Sequence, residues 1–99
     1  MPRRNYHDEL ITSLKDHDMA VAYLNAAIEE AESGEEDAQQ VLLMALRNVV
    51  EANGGFTVVA EKADLGRESL YKTLSPKGNP HLRTLTALFH ALGIGLRFS

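Results

Sequence analysis

Apolar residues recur at helical spacing along almost the whole chain, and this pattern predicts an all-α protein of six helices. The first helix is predicted from about Tyr6 to Leu14. The second follows Asp16, whose side chain suits an N-cap, and ends at Gly34. The third runs from about Glu35 to Ala52, and it has apolar residues around more than half of its circumference, so we expect it to be central. Those residues are Ala38, Val41, Leu42, Ala45, Leu46, Val49 and Val50.

The stretch from Phe56 to Leu74 predicts two short helices joined by a tight turn at Asp64–Gly66. The small Ala60 lets the helices approach each other closely, and Leu70 and Leu74 face the shared core. The other side of the second helix is polar and suits the major groove of DNA, so we expect this helix to read base edges. Its polar and flanking residues are Arg67, Glu68, Ser69, Tyr71, Lys72 and Ser75.

A loop and a last helix are predicted to follow. Pro76 cannot continue a helix, and Lys77-Gly78 suits a turn. Asn79 as N-cap and Pro80 as first helical residue then predict a sixth helix that ends at Gly93. The residues of this helix predicted to face the core are Leu82, Leu85, Leu88, Phe89 and Leu92. Of the loop residues, we expect Lys77 and Asn79 to contact phosphates of the DNA backbone, together with Thr57 from the first helix of the pair.

The tail changes to a two-residue period, which predicts a short β-strand. Ile94, Leu96 and Phe98 would lie on one face of this strand. A lone strand leaves its backbone hydrogen-bonding groups unpaired, so we expect it to pair with its copy and form a homodimer. The alternative is an extended tail that lies over its own core.

Length and composition limit the classes to which this protein can belong. A chain of 99 residues with 44% hydrophobic residues fits one domain, residues 1–99, which we divide into an acidic helical region, 1–53, and a DNA-binding region with the dimerisation strand, 54–99. The absence of cysteine excludes disulfides and thiolate metal sites. The first residues contain no apolar run suited to a signal peptide or membrane span, so we expect a cytoplasmic protein without membrane contacts.

Charge is distributed unevenly along the chain. Residues 1–54 contain four Lys/Arg and eleven Asp/Glu, whereas residues 55–99 contain six Lys/Arg and three Asp/Glu. The basic half, which contains the paired helices, suits a phosphate backbone, and the acidic half suits another kind of partner. Two ordinary solvated surfaces would produce the same asymmetry.

Catalytic chemistry has no support in the sequence. The four histidines are scattered and none has the spacing of a metal site, and Gly54-Gly55 lacks the other residues of a phosphate-binding loop. The carboxylates are spread over polar helix faces rather than paired in an apolar pocket. We therefore expect no enzymatic activity, no cofactor and no metal.

Three segments resemble a known family. They are AVAYLNAAIEEA, ADLGRESLYKTLS and GNPHLRTLTALFHALG. Together with the chain length, they resemble the short antidote (antitoxin) proteins of addiction modules whose toxins are RelE-like, within the wider Xre/Cro-like helix-turn-helix proteins. The resemblance covers most of the chain. It departs at Asp64, where the motif usually has Gly, and at Gly66, where Ser or Thr usually caps the reading helix; Asp tolerates a left-handed turn and Gly is a permitted N-cap.

The resemblance implies a helix-turn-helix bundle like that of λ repressor, and a repressor that binds its own operator DNA and also neutralises a toxin. In such a protein the acidic N-terminal half would cover a basic surface with which the toxin holds RNA. The acidic run from Glu29 to Asp37 lies in this half, although most such runs serve only solubility. Two alternatives remain open. The chain could be a protein-interaction module that keeps the helix-turn-helix as a scaffold, or a stand-alone transcriptional regulator with no toxin partner.

Overall fold

The observed fold is all-helical, as the helical spacing of the apolar residues predicts. A computed structural model describes residues 5–34 and 37–94, and these residues form six α-helices and no β-strand. The class and the number of helices are as predicted. The helices are α1 (Tyr6–Ser13), α2 (His17–Glu32), α3 (Ala38–Ala52), α4 (Phe56–Ala63), α5 (Arg67–Thr73) and α6 (Leu82–Ala91).

Side-chain caps start the first two helices. The Asp16 carboxylate accepts hydrogen bonds from the backbone N–H groups of Asp18 and Met19, at 2.9 and 3.2 Å, which confirms the predicted N-cap of α2. Asn5 caps α1 in the same way. Each cap satisfies backbone donors that have no partner within the helix, so the polar residue before the apolar stripe determines where the helix begins.

Helix α3 is central, as its wide apolar arc predicts. It packs against α1, α2 and α4, and Leu46, Val49 and Val50 have no exposed surface. Among the described residues, no polar or charged side chain is buried. Val41, a member of the predicted apolar arc, is 43% exposed. The apolar arc of α3 is wider than the surface that its neighbours cover, and Val41 lies at the uncovered edge beside α2.

Two consecutive glycines connect α3 to the C-terminal helices. Gly54 and Gly55 have φ angles of +108° and +93°, and the ψ angle of Gly55 is 177°. This last conformation is essentially restricted to glycine. The N–H of Gly55 donates to the carbonyl of Val50 at 3.0 Å, so the turn satisfies a carbonyl in the last turn of α3.

The predicted start of α6 is wrong by two residues. Asn79 and Pro80 remain in the loop, and the helix begins at Leu82. Leu82 is 66% exposed, so the prediction that it faces the core is wrong. Contacts with the N-terminal half account for the later start, because the Gln39 side chain donates to the carbonyl of Gly78 at 3.4 Å. Asn79 and Pro80 also line a depression shared with residues of α2 and α3. Packing against another part of the chain thus overrides the local preference for Pro at the first helical position.

The end of α6 is fixed by Gly93, as predicted. Gly93 has a φ angle of +71°, and the N–H of Ile94 donates to the carbonyl of Phe89 at 2.9 Å, which is the hydrogen bond of a Schellman cap. Ile94 is 8% exposed and packs into the core of its own chain. Ile94 is the last described residue, and it is not part of a strand. The rest of the predicted strand, with Leu96 and Phe98, lies outside the described residues.

Candidate nucleic-acid interface

The turn between α4 and α5 has a left-handed residue at its centre. Asp64 has φ 57° and ψ 44°, and the N–H of Leu65 donates to the carbonyl of Ala60 at 2.8 Å. This pattern is a Schellman cap in which Asp takes the position that glycine usually occupies. Asp is one of the few residues with a side chain that visit this conformation. The expectation that Asp64 replaces glycine without loss of the turn is confirmed.

Buried residues hold α5 against α4. Leu70 and Leu74 are 1% and 0% exposed, and they pack in the same apolar cluster as Val59 and Ala60 of α4. Gly66 is the N-cap of α5, with an extended backbone and no side chain to accept a hydrogen bond. A helix of only seven residues is not stable alone in water, so packing rather than capping stabilises α5.

The predicted reading residues lie on the exposed side of α5. All five residues predicted to contact base edges are exposed, because the two buried leucines turn the other side of the helix outward. Tyr71, the largest of them, is 55% exposed. The five residues are Arg67, Glu68, Ser69, Tyr71 and Lys72.

Two contacts connect this surface with the start of α4. The Nε of Arg67 donates to the hydroxyl oxygen of Thr57 at 2.9 Å. The rings of Phe56 and Tyr71 meet edge to face, with centroids 5.2 Å apart and an interplanar angle of 64°. The structure thus brings the predicted phosphate ligand Thr57 next to the predicted reader Arg67. The contact of Phe56 with Tyr71 was not predicted, because a contact across fifteen residues and a turn has no periodic signal in the sequence.

The remaining predicted DNA contacts follow α5. The hydroxyl of Ser75 donates to the carbonyl of Lys72 at 2.6 Å, so Ser75 helps to end the helix. Lys77 and Asn79 are exposed in the loop. Gly78 lies so close to α5 that a Cβ added there would be 1.8 Å from the carbonyl oxygen of Thr73. The loop therefore packs directly on the end of α5.

The charge asymmetry is present on the surface of the described part. Residues 55–94 contain five Lys/Arg and three Asp/Glu, whereas residues 5–34 and 37–54 contain two Lys/Arg and nine Asp/Glu. All eight charged residues between 55 and 94 are exposed, so they contribute to the electrostatic field at the surface of α4, α5 and α6. They are Glu61, Lys62, Asp64, Arg67, Glu68, Lys72, Lys77 and Arg83.

A family model described as probable addiction module antidote protein matches residues 6–99. The chain belongs to this antidote family. Searches of curated proteins and of solved structures each return no match. Membership of the antidote family implies a toxin as protein partner. Within residues 5–34 and 37–94, no helix of this antidote is long and apolar enough to cross a membrane.

Proposed function

We propose that this antidote is a DNA-binding antitoxin, which represses its own operon and neutralises a RelE-like toxin by direct binding. The observation that carries the DNA-binding part is the exposed polar side of α5, held in place by the buried Leu70 and Leu74. The left-handed turn at Asp64 and the burial of Ala60 support the view that α4 and α5 are a helix-turn-helix of the Xre/Cro type.

In this proposal α5 enters the major groove. The Nε of Arg67 is bonded to Thr57, and its two terminal nitrogens can donate as a pair to a guanine. Lys72 suits guanine acceptors, Glu68 suits the amino group of cytosine, and Ser69 can serve either as donor or as acceptor. The ring of Tyr71 offers an apolar contact for the methyl group of thymine.

Phosphate contacts would orient α5 in the groove. Thr57 lies beside Arg67, so a phosphate that approaches the start of α4 meets a hydroxyl and a guanidinium together. Lys77 and Asn79 are exposed in the loop after α5 and would bind phosphate at the other end of the helix. Ser75 would make its contact from the residues just after α5, with its proton directed to the Lys72 carbonyl.

We further propose that the antitoxin binds its operator as a homodimer. One helix-turn-helix reads only a few base pairs, and useful specificity needs two of them about 34–36 Å apart. The tail is the proposed interface, with Leu96 and Phe98 supplying the apolar contacts. Ile94 would support them from within its own subunit, since it is buried there.

The toxin would bind the acidic N-terminal helices. The described residues of this half are strongly acidic, and such a surface is repelled by DNA but attracts a basic protein. The antidote would thus use different halves of the chain for its two partners. DNA and toxin could then be bound at the same time.

The test measures DNA binding and toxin binding separately. Fluorescence anisotropy with the DNA upstream of the protein's own gene, over a range of salt concentrations, should give an affinity well above that for scrambled DNA of equal length. The logarithm of the affinity should fall linearly with that of salt concentration. Co-expression with the protein encoded by the adjoining reading frame should restore growth. Equal affinity for both DNAs would favour an interaction module, and DNA binding without rescue of growth would favour a stand-alone regulator.

A further inference from the structure

An open groove runs between α2 and α3 on the acidic half of the molecule. Its volume is about 290 Å³. The hydroxyl of Tyr23 accepts a hydrogen bond from the Asn48 side chain at 3.0 Å, which links the two helices along the groove. Small side chains leave room for a partner to approach the backbone closely. The apolar residues that line the groove are Tyr23, Ala26, Ala27, Val41, Met44 and Ala45.

Large apolar side chains are exposed along this groove. Met44 is 60% exposed and Val41 is 43% exposed. Met19, which is 52% exposed, lies one helical turn before Tyr23 on the same side of α2. Methionine side chains are flexible and adapt to the shape of a bound surface. A cluster of exposed apolar residues of this kind marks an interaction site more often than isolated ones do.

The length of the groove fits a helix. The stretch of α2 that lines the groove, from Tyr23 to Glu30, rises by about 10 Å at 1.5 Å per residue, which corresponds to about two helical turns. A partner helix with apolar anchors on successive turns would fill such a groove.

The charges around the groove specify the partner further. Glu30 lines the groove, and the exposed Asp37 lies one turn before Val41 on α3. Over the whole of α2 and α3 there are five carboxylates and one arginine, Arg47, which lies one turn after Met44. An acidic edge beside an apolar groove complements an amphipathic helix flanked by Lys or Arg, and it rejects an acidic one.

We infer that this groove is the docking site for the toxin, which would insert an amphipathic helix with apolar anchors toward Met44 and a basic residue toward Glu30. The inference rests on the proposed antitoxin function, and it adds the surface and the chemistry of the partner. The groove belongs to helices other than α4 and α5, so toxin binding here leaves the polar side of α5 open to DNA.

The test uses charge substitutions at exposed positions, which should not disturb folding. Met44→Glu places a charge among the apolar anchors, and Glu30→Lys reverses the charge at the edge. Leu82→Glu is the control for the first, since Leu82 is 66% exposed and lies on α6. Asp8→Lys is the control for the second, because Asp8 is exposed on α1, which does not line the groove.

The affinity of each full-length variant is measured for the toxin encoded by the adjoining reading frame. Met44→Glu and Glu30→Lys should each weaken toxin binding by about tenfold or more, as expected for central contacts of an interface. Both controls should bind like the wild type, and every variant should bind the upstream DNA normally. In wild-type protein with labelled methionine methyl groups, the NMR signals of Met19 and Met44 should shift when toxin is added.

The outcomes separate the groove from the antitoxin function. Toxin affinity that is unchanged in both groove variants, or that falls equally in the controls, would overturn the docking site while the proposed function stands. A wild-type protein that does not bind the toxin would overturn both. Loss of DNA binding together with toxin binding in the groove variants would contradict the separation of the two surfaces.

Discussion

The Nε of Arg67 donates a hydrogen bond to the hydroxyl of Thr57 across 2.9 Å. This bond joins the first residue of α5 to the second residue of α4 on the exposed side of the molecule. A side chain that is already held in place loses less conformational entropy when it binds. The residue proposed to read a base and the residue proposed to hold a phosphate therefore work as one preorganised pair.

The first prediction concerns the two cations on α5. Arg67→Ala and Lys72→Ala should weaken binding to the upstream DNA and leave the fold intact, since both side chains are exposed. Loss of a base contact should cost about 1–3 kcal/mol, and loss of a phosphate contact should reduce the salt slope by about one unit. Anisotropy titrations measure both quantities. Lys15→Ala removes an equal charge from the loop between α1 and α2 and should have no effect.

The second prediction concerns the link between Thr57 and Arg67. Thr57→Val keeps the shape of the side chain and removes the hydrogen bond, so DNA affinity should fall although the Arg67 charge remains. A double-mutant cycle with Arg67→Ala, measured as DNA-binding free energy, should give a coupling of about 0.5–1.5 kcal/mol. Strictly additive effects would mean that the two residues contact DNA independently.

The turn residue Asp64 provides a third prediction, on stability. Asp64→Val should lower the free energy of unfolding by about 1–2 kcal/mol, because a β-branched side chain is strained at a φ of 57°. Asp64→Gly, the matched substitution, fits this conformation and should be close to neutral. Urea denaturation compares the two. Equal loss in both variants would assign the effect to the carboxylate instead of to the backbone.

Gly78 provides a fourth prediction. In Gly78→Ala the added Cβ would lie 1.8 Å from the carbonyl oxygen of Thr73, so the loop or the end of α5 must move. We expect a loss of about 1–3 kcal/mol in stability, as for other overpacked sites, together with weaker DNA binding. Lys77→Ala changes the neighbouring residue without this clash, and its stability should match the wild type. Wild-type stability in Gly78→Ala would contradict the close packing.

The fifth prediction concerns the oligomeric state. Light scattering at micromolar concentration should give a homodimer for the full chain, and deletion of residues 95–99 should give a monomer with much lower DNA affinity. The deletion retains Ile94, which completes the core of its own chain, so the helices should remain folded. A dimer that persists after the deletion would move the interface to the helices.

Local chemistry accounts for the parts of the fold that the sequence predicts well. The cap at Asp16 and the turn at Asp64 depend on a few adjacent residues, and the side chains at those positions suffice to produce them. The outward side of α5 follows in the same way from the spacing of Leu70 and Leu74, which fixes the orientation of every residue between them.

Features that depend on distant parts of the chain were not predictable. The start of α6 is shifted because the loop at Gly78 contacts Gln39, thirty-nine residues earlier. The exposure of Val41 follows from how much of α3 its neighbours cover, and periodicity reports only that the residue is apolar. The apolar arc of α3 is nevertheless wider than its neighbouring helices can cover. Apolar surface left over on a central helix indicates a further partner, so the width of the arc was a signal of the groove between α2 and α3.

The glycine pair between α3 and α4 restricts how this protein can evolve. At Gly54 an added Cβ would come within 3.1 Å of Val58, and Gly55 has a backbone conformation that other residues rarely adopt. These two adjacent residues therefore tolerate almost no substitution, although the dipeptide touches neither proposed partner. Among antidotes with this fold, we expect sequences to differ quickly on the surfaces that bind partners and hardly at all at Gly54 and Gly55.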